Sequence, residues 1–165
     1  MANEEHFQLI KNGISSWNEW RTKNPELQPD LRGAKLQNIN LSNSNLKECK
    51  LQFSNLSGAN LEGADMSKAK LQEACLRNTQ MKNCNLSVAG MLESDLQNTD
   101  LENANLEGAQ FNEDTLFNQT NLKGANLTSA TGLTATQISL ALTDKSTRLP
   151  DYLEEEIDDD FLLQF

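Results

Sequence analysis

The chain has few aromatic residues, few cysteines, one histidine and no long apolar run, and each shortage excludes a class of protein. Aromatic residues make up 5% of the 165 residues and apolar residues 37%, which is too little bulk for a conventional layered core. No stretch of 18 apolar residues exists, and the first ten residues carry acids where a secretory signal carries a basic patch. We therefore expect a soluble, cytoplasmic protein that does not span a membrane.

Residues that usually carry chemistry are scarce and scattered. The three cysteines, Cys49, Cys75 and Cys84, form no CxxC pair, and their odd number argues against a disulfide framework. His6 has no identifiable nucleophile paired with it, and no spacing of Cys, His or carboxylates matches a metal site. The sequence thus predicts no catalytic, cofactor-binding or metal-binding residue, and we expect a protein that is not an enzyme.

A period of five residues runs through the middle of the chain. An apolar centre recurs without a break at seventeen positions: Leu31, Leu36, Leu41, Leu46, Leu51, Leu56, Leu61, Met66, Leu71, Leu76, Met81, Leu86, Met91, Leu96, Leu101, Leu106 and Phe111. The residue two places earlier is small in every case except Pro29 and Ile39. Steps of five would scatter around a helix and alternate between the faces of a flat strand. The chain must therefore turn a corner after each pentapeptide, giving a polygonal coil with the small residue and the centre pointing inward.

The repeat units resemble a known family. Segments such as ANLEG (59–63 and 104–108), ADMSK (64–68) and ANLTS (125–129) are similar to the pentapeptide-repeat pattern A(D/N)LXX, over residues 29 to about 130. This resemblance implies an all-β fold, a right-handed quadrilateral β-helix with four pentapeptides per coil and about five coils. The segments 16–33 and 142–153 are similar to the flanks of cyanobacterial members of that family.

The rhythm of five breaks once, after Phe111. Continuing in steps of five would put Asp114 in the small inward place, whereas a shift by one residue restores the pattern at Phe117 and Leu122. We therefore predict a one-residue bulge between Asn112 and Leu116, with Leu116 turned outward.

Helices are predicted at both ends of the coil. Apolar residues at helical spacing indicate an amphipathic helix over residues 4–21, interrupted by Gly13. Thr134 and Gln137 have the form of a capping box before a short apolar face. The predicted units are an N-terminal helical cap (1–28), the β-helix (29–130), a C-terminal helical cap (131–153) and an acidic tail (154–165). We expect the tail to be disordered, with a short partner-binding motif as the alternative.

The charge is distributed unevenly. The net charge is −10, and residues 83–122 contain seven acidic side chains and no basic one. A twenty-residue coil would also align Glu62, Lys82, Glu102 and Lys123 as a ladder of alternating charge.

Two functions fit this sequence. The first is a scaffolding or interaction solenoid that presents a rigid surface to an unidentified protein partner. The alternative follows from the resemblance, because some members mimic B-form DNA and inhibit type II topoisomerases such as gyrase; here the acidic half would act. Neither involves direct binding of nucleic acid or a membrane, and a monomer is favoured.

Few apolar side chains are expected to point outward, so those few are candidate partner contacts. They are Phe53, Val88, Leu92 and Leu116, together with the neighbouring Glu93. In a four-sided coil Phe53 and Leu92 would share one side.

Overall fold

The computed structural model describes residues 1–154, so residues 155–165, nearly all of the predicted acidic tail, lie outside the described part. Four short helices occupy the ends: α1 (Glu4–Lys11), α2 (Ile14–Lys23), α3 (Ala135–Leu140) and α4 (Asp151–Glu154). Between α2 and α3 the backbone repeats a turn and an isolated bridge every five residues. This repeating coil forms the body of the described structure.

Backbone hydrogen bonds join residues that lie twenty positions apart. Asp30 bridges Lys50 in parallel orientation, and equivalent series begin at Lys35, Asn40 and Asn45. The N–H groups meet carbonyl oxygens of the neighbouring coil at distances of 2.7–3.1 Å. Each coil thus has four bridged positions, one per pentapeptide, and the structure is a β-solenoid as the sequence predicts.

The central residue of every pentapeptide points into the coil. All seventeen predicted centres are buried, and none is more than 4% exposed. The small residues two places earlier are buried too, whereas the larger Ile39 is only partly buried. Where the small residue is Ser or Thr, its hydroxyl donates to a backbone carbonyl, as Thr99 does to Leu76 at 2.6 Å. The narrow interior is therefore filled by aliphatic columns, and its hydroxyls have hydrogen-bond partners.

Each regular corner has a left-handed residue two places after the centre, and only Glu113, at the bulge, departs from this within the repeats. The φ angle at the non-glycine corners is 55–61°, a region that favours Asn and Gly. A turn closes each corner, as where the Ala64 N–H donates to the Leu61 carbonyl at 3.0 Å. An Asn or Asp just before the centre supports this turn: Asn60 Oδ1 accepts the Glu62 N–H at 3.0 Å. These local bonds explain why the repeat prefers Asn or Asp at that place.

One extra residue is accommodated between Asn112 and Leu116. Bridges before this point span twenty positions, whereas Asp95 bridges Leu116, twenty-one positions on. The side chain of Asn112 replaces a backbone acceptor at the bulge, because its Oδ1 accepts the Glu93 N–H at 2.9 Å. Leu116 points outward and is 40% exposed. The predicted bulge and the outward Leu116 are both confirmed.

The N-terminal segment forms two helices, so the prediction of one helix over residues 4–21 is wrong. Gly13 lies between α1 and α2 with a φ of 118°, a conformation that a continuous helix cannot contain. Ile10 of α1 and Trp17 of α2 are buried and belong to the same apolar core as the columns of the coil. The break at Gly13 therefore lets both helices pack against the solenoid.

The bridge ladder continues beyond residue 130, where the sequence places a separate cap. Leu142 bridges Asn121, and Arg148 bridges Asn126. Thr131 also bridges Gln110, so the segment after the predicted boundary adds three bridges, with α3 inserted between the first and the other two.

Gln137 of α3 holds the C-terminal end in two ways. Its side chain forms the predicted capping box with Thr134, which is confirmed by bonds of 2.9 and 3.2 Å. Its Nε2 also donates to the carbonyls of Asn112 and Thr115, at 2.7 and 2.9 Å. Since a further coil would supply such donors in the interior of the solenoid, Gln137 replaces part of a missing coil.

Truncation of an inward and an outward leucine should have unequal effects. Leu101→Ala should lower the free energy of unfolding by about 2–5 kcal/mol, because Leu101 is fully buried in its column. Leu116→Ala removes the same atoms from an exposed side chain and should cost less than about 0.5 kcal/mol. Urea unfolding followed by circular dichroism measures both. Equal losses would contradict the inward column.

Candidate functional site

Four of the five candidate contacts lie along or beside one corner of the coil, where the corners of successive coils stack. This surface, termed side A, comprises residues 50–55, 70–75, 90–95 and 110–116, which run from one series of bridges around the corner to the next. It contains Phe53, Leu92 and Glu93, and Leu116 lies at its border. Phe53 is two coils away from Leu92, about 10 Å at the ordinary spacing of strands. Phe53 and Leu92 thus share a side, but they do not form one continuous contact.

Val88 lies outside side A, and it shares an unusual backbone conformation with Phe53. Both occupy left-handed corners, with φ of 58° at Val88 and 61° at Phe53. That region costs L residues about 1–2 kcal/mol, and it is least suited to β-branched side chains. The two side chains are 51% and 59% exposed, so burial does not offset this cost. Sequence reasoning found these residues by their apolar character, but it did not foresee the left-handed corner.

Free acidic side chains collect around Leu92. Glu93, Glu113 and Asp114 are exposed, and within residues 1–154 none has a cationic partner within 4.0 Å. Together with the half-buried Leu92 and the exposed Leu116 they form a surface termed the side A patch. This patch combines two apolar side chains with three carboxylates that no base of the described chain neutralises.

Three other acidic residues between positions 83 and 122 form ion pairs with bases of the preceding coil. Arg77 forms an ion pair with Asp95, and Lys82 Nζ lies 2.7 Å from Glu102 and 3.4 Å from Asp100. These pairs are largely exposed and stabilise the fold little, but they reduce the negative potential along two stretches of the coil. Within residues 83–122 four carboxylates make no ion pair with residues 1–154, and three of the four belong to the side A patch.

The predicted charge ladder forms only at its middle step. Lys82 and Glu102 are paired, and this hydrogen bond, with the charge of Asp100, raises the pKa of Lys82. The other two members, Glu62 and Lys123, make no ion pair within 4.0 Å in the described part of the chain. Vertical alignment alone thus does not ensure that exposed side chains meet.

The histidine and the two buried cysteines, the side chains that most often carry catalysis, have structural roles here. His6 Nδ1 accepts the Asp30 N–H at 3.0 Å. Burial raises the pKa of the Cys49 and Cys84 thiols to about 12, so neither is a nucleophile at neutral pH. Within residues 1–154 no three His, Cys, Asp or Glu side chains are grouped so that they could hold a metal ion. None of the helices found there has the length and apolar character needed to cross a membrane.

Phe53 belongs to a different feature, a cavity of about 450 Å³ beside α1. Phe7 and Ala34 contribute apolar lining, and Arg32 and Lys35 also line it. The repeat pattern could not indicate this cavity, because one of its walls is a helix outside the repeats.

The fold and these surfaces define a β-solenoid whose interior is packed and whose exterior offers the places for contact. A family model described as pentapeptide repeats matches eight copies, over residues 30–63, 49–87 and 92–113. The chain belongs to the pentapeptide-repeat family. A search of curated protein sequences gave no significant match.

Solved structures similar to the chain include two described as pentapeptide-repeat proteins and one described as a resistance protein. One from the thylakoid lumen of Arabidopsis thaliana is 26% identical with a TM-score of 0.64, covering 81% of this chain and 90% of that one. Rfr23 from the cyanobacterium Cyanothece 51142 is 26% identical with a TM-score of 0.37, covering 85% and 99%. QnrB1, a plasmid-mediated fluoroquinolone resistance protein, is 15% identical with a TM-score of 0.43, covering 74% and 70%.

Relief of the strain at Val88 should stabilise the protein. Val88→Asn should raise the free energy of unfolding by up to about 1 kcal/mol, because Asn tolerates a left-handed backbone and Val88 is exposed. Val88→Thr is the matched control, since Thr is β-branched and keeps the strain. Thermal unfolding compares the two. An Asn variant no more stable than the Thr variant would show that this corner carries no strain.

Proposed function

We propose that this protein is a non-enzymatic interaction solenoid that binds a protein partner through the side A patch. In this proposal about five right-handed coils, with helices at both ends, act as a rigid cytoplasmic scaffold. A non-enzymatic role accords with membership of a pentapeptide-repeat family.

The observation that carries the proposal is the combination of apolar and acidic groups around Leu92. Leu92 and Leu116 supply apolar contact area, and Glu93, Glu113 and Asp114 surround them with free carboxylates. An apolar centre with a charged rim is the usual anatomy of a protein interface. The complementary partner surface would be an apolar anchor bordered by lysines or arginines.

Rigidity supports binding by such a small patch. The backbone under the patch is fixed by coil-to-coil hydrogen bonds, among them the bond from the Glu93 N–H to Asn112 Oδ1. A surface that is already ordered loses little conformational entropy when it binds. The outward side chains can also vary without loss of the fold, because the core uses only the inward positions.

Charge reversal on the patch should abolish partner binding without unfolding the protein. The variant Glu93→Lys/Asp114→Lys changes two exposed, unpaired side chains, so the free energy of unfolding should change by less than about 1 kcal/mol. Affinity capture from the native host followed by quantitative mass spectrometry should show at least one protein depleted about tenfold or more relative to wild type. Leu92→Asp should deplete the same protein.

Glu107→Lys is the matched control for this experiment. Glu107 is also exposed and makes no ion pair within the described residues, but it lies outside side A. It should retain every partner that wild type captures. The proposal fails if the control loses the same proteins, or if the patch variant retains all of them.

The alternative function, inhibition of gyrase by DNA mimicry, needs negative potential along an extended surface. Residues 83–122 have no base, which favours it. Against it, Arg77 and Lys82 pair with Asp95, Asp100 and Glu102 of this same half. The remaining free carboxylates are concentrated on side A, which is a smaller surface than a DNA duplex presents.

A supercoiling assay distinguishes the alternative. Excess protein at low salt should leave gyrase supercoiling unchanged, because the neutralised half cannot replace a duplex. Inhibition by wild type that Glu93→Lys/Asp114→Lys relieves would instead establish the DNA-mimicking function.

A further inference from the structure

A second surface of the solenoid differs from side A in the sign of its charge. This surface, termed side B, runs from one series of bridges around a corner to the next and comprises residues 45–50, 65–70, 85–90, 105–110 and 126–131. Its charged side chains are four bases, Lys47, Lys50, Lys68 and Lys70, and three acids, Glu48, Asp65 and Glu107. Defined in the same way, the other three surfaces carry at least as many acidic as basic side chains. Side B is therefore the surface of the coil that attracts anions.

Most of this positive charge is uncompensated. Lys47, Lys50 and Lys70 make no ion pair within 4.0 Å among residues 1–154. Lys68 Nζ lies 3.9 Å from Glu48 Oε1, a long distance for an ion pair. Lys50 and Lys70 are on neighbouring rungs of one bridge series, about 4.8 Å apart. Because like charges so close repel each other, an anionic segment along side B would lower the free energy of this cluster.

An exposed apolar side chain lies beyond the lysines, at the N-terminal end of side B. Leu27 is 50% exposed. Its carbonyl accepts from Arg21 Nη1 at 2.6 Å, and Arg21 Nη2 donates to the Lys47 carbonyl at 2.9 Å, so one guanidinium holds Leu27 beside Lys47. Two residues after Leu27, the carbonyl of Pro29 accepts the Lys50 N–H at 2.8 Å. Side B thus ends in an apolar side chain directly past its lysines.

The described structure ends at the opposite end of side B. Arg148 bridges Asn126, so the segment before α4 lies on the last rung of this surface. Tyr152 of α4 is fixed at the same end, because its Oη accepts the Leu133 N–H at 3.0 Å, and Leu133 follows the last residue of side B by two positions. Residues 155–165 therefore begin at the C-terminal end of side B.

These residues carry complementary groups in the matching order. They read EEIDDDFLLQF, with five acidic side chains, no basic one, and an apolar run directly after three aspartates. From the C-terminal end of side B, the lysines come first and Leu27 second; from Glu154, aspartates 158–160 come first and apolar residues 161–163 second. Opposite charges and apolar groups thus meet in one register. The exposed Glu26 beside Leu27 faces only uncharged residues in this register.

The distances agree with this order. Lys70 is three rungs from Thr131, about 14 Å, and the rung of Arg148 adds about 5 Å. Aspartates 158–160 lie four to six residues after Glu154, about 13–22 Å for an extended chain. Leu27 lies two rungs beyond Lys70, about 24–29 Å from the same end. Residues 161–163 are about 23–32 Å after Glu154.

The first part of the path is nearly neutral. Glu107 is the one acid of side B between its C-terminal end and the segment 85–90, which has no charged residue. The exposed Arg148 makes no ion pair within residues 1–154 and lies on the last rung, so its charge offsets that of Glu107. The acidic segment therefore meets no net repulsion before it reaches the lysines.

Tethering favours the chain's own side B over that of a second copy. A segment joined to its site by a short linker has an effective concentration of about a millimolar. A second copy at a lower concentration than this competes poorly, because both copies carry the same groups. The intramolecular contact therefore forms first.

We propose that residues 155–165 bind along side B of their own chain, with aspartates 158–160 on the lysines and residues 161–163 against Leu27. The contact uses side chains, because the backbone groups at the bridged positions inside the coil are already paired. It replaces the expectation of a disordered tail. It keeps other anionic ligands from side B, and it depends neither on the side A patch nor on the proposed function.

Backbone NMR relaxation of the full-length chain tests this contact. At low salt, residues 158–163 of wild type should have order parameters above about 0.6, the value below which a backbone is flexible. Lys47→Glu/Lys70→Glu should lower them below this value, because it reverses two charges of side B. Both lysines are exposed and unpaired within residues 1–154, so the unfolding temperature should stay nearly unchanged.

A charge exchange gives the sharper result. Asp158→Lys/Asp160→Lys alone should lower the order parameters as Lys47→Glu/Lys70→Glu does. The two pairs combined in one chain restore opposite charges and should restore the order parameters of wild type. A structural effect of either pair on the coil would not be reversed in this way.

Two further variants complete the test. Lys35→Glu/Lys123→Glu is the matched control, since both lysines are exposed, unpaired within residues 1–154 and outside side B. It should behave like wild type. Leu27→Ser should lower the order parameters of residues 161–163 more than those of residues 158–160, because it removes only the apolar contact.

Carbodiimide cross-linking identifies which copy is bound. An equimolar mixture of unlabelled and isotope-labelled chains should give amide bonds between aspartates 158–160 and lysines of side B. The two linked peptides should come from one chain, so both should be light or both heavy.

Three results would overturn the proposal. The first is a wild-type chain whose residues 158–163 have order parameters below about 0.6 at low salt. The second is order that Lys47→Glu/Lys70→Glu leaves intact, or that the charge exchange does not restore. The third is a set of cross-links that join light to heavy chains, which would assign the segment to a second copy.

Discussion

The hydrogen bond between residues twenty positions apart is the constraint on which the rest of the structure depends. A backbone group in the interior of the solenoid has no other partner, so every coil must return the chain to the same four bridged positions. This requirement fixes the length of each side at five residues and the identity of the inward positions. It also limits insertions: the extra residue near Asn112 is tolerated because it lies at a corner, where the Asn112 side chain serves the ladder.

The core could be predicted from sequence because each place in the pentapeptide has one physical role. A centre such as Leu61 must be apolar, and the residue two places earlier must be small, so two positions repeat strictly. The same regularity exposed the bulge, since an acid at Asp114 could not occupy the narrow interior. The corner conformation was not predicted, although the frequency of Asn and Gly two places after the centre carries that information.

The candidate site could be predicted only as a set of residues. Outward apolar side chains such as Phe53 and Leu92 stand out in the sequence, because most other outward places are polar. Their grouping depends on which charges meet in space: Arg77 and Lys82 reach acids of the next coil, whereas Glu93 stays free. The break at Gly13 also decides where α1 lies, and thereby whether Phe53 faces solvent or a cavity. Neither ion pairing nor helix placement has a periodic signature.

An uncapped end of a solenoid has unpaired backbone groups that can pair with other strands, whereas a capped end has none. At the C-terminal end, Gln137 and Tyr152 supply a donor and an acceptor to backbone groups that a further coil would otherwise serve. At the N-terminal end, side chains of α1 and α2 do this on two sides only. Each closed rung uses two groups, as Trp17 and Asn18 show at Asn45. The flanking helices thus replace parts of an absent coil with donors and acceptors of their own, and polar groups outside the repeats limit the length of the solenoid.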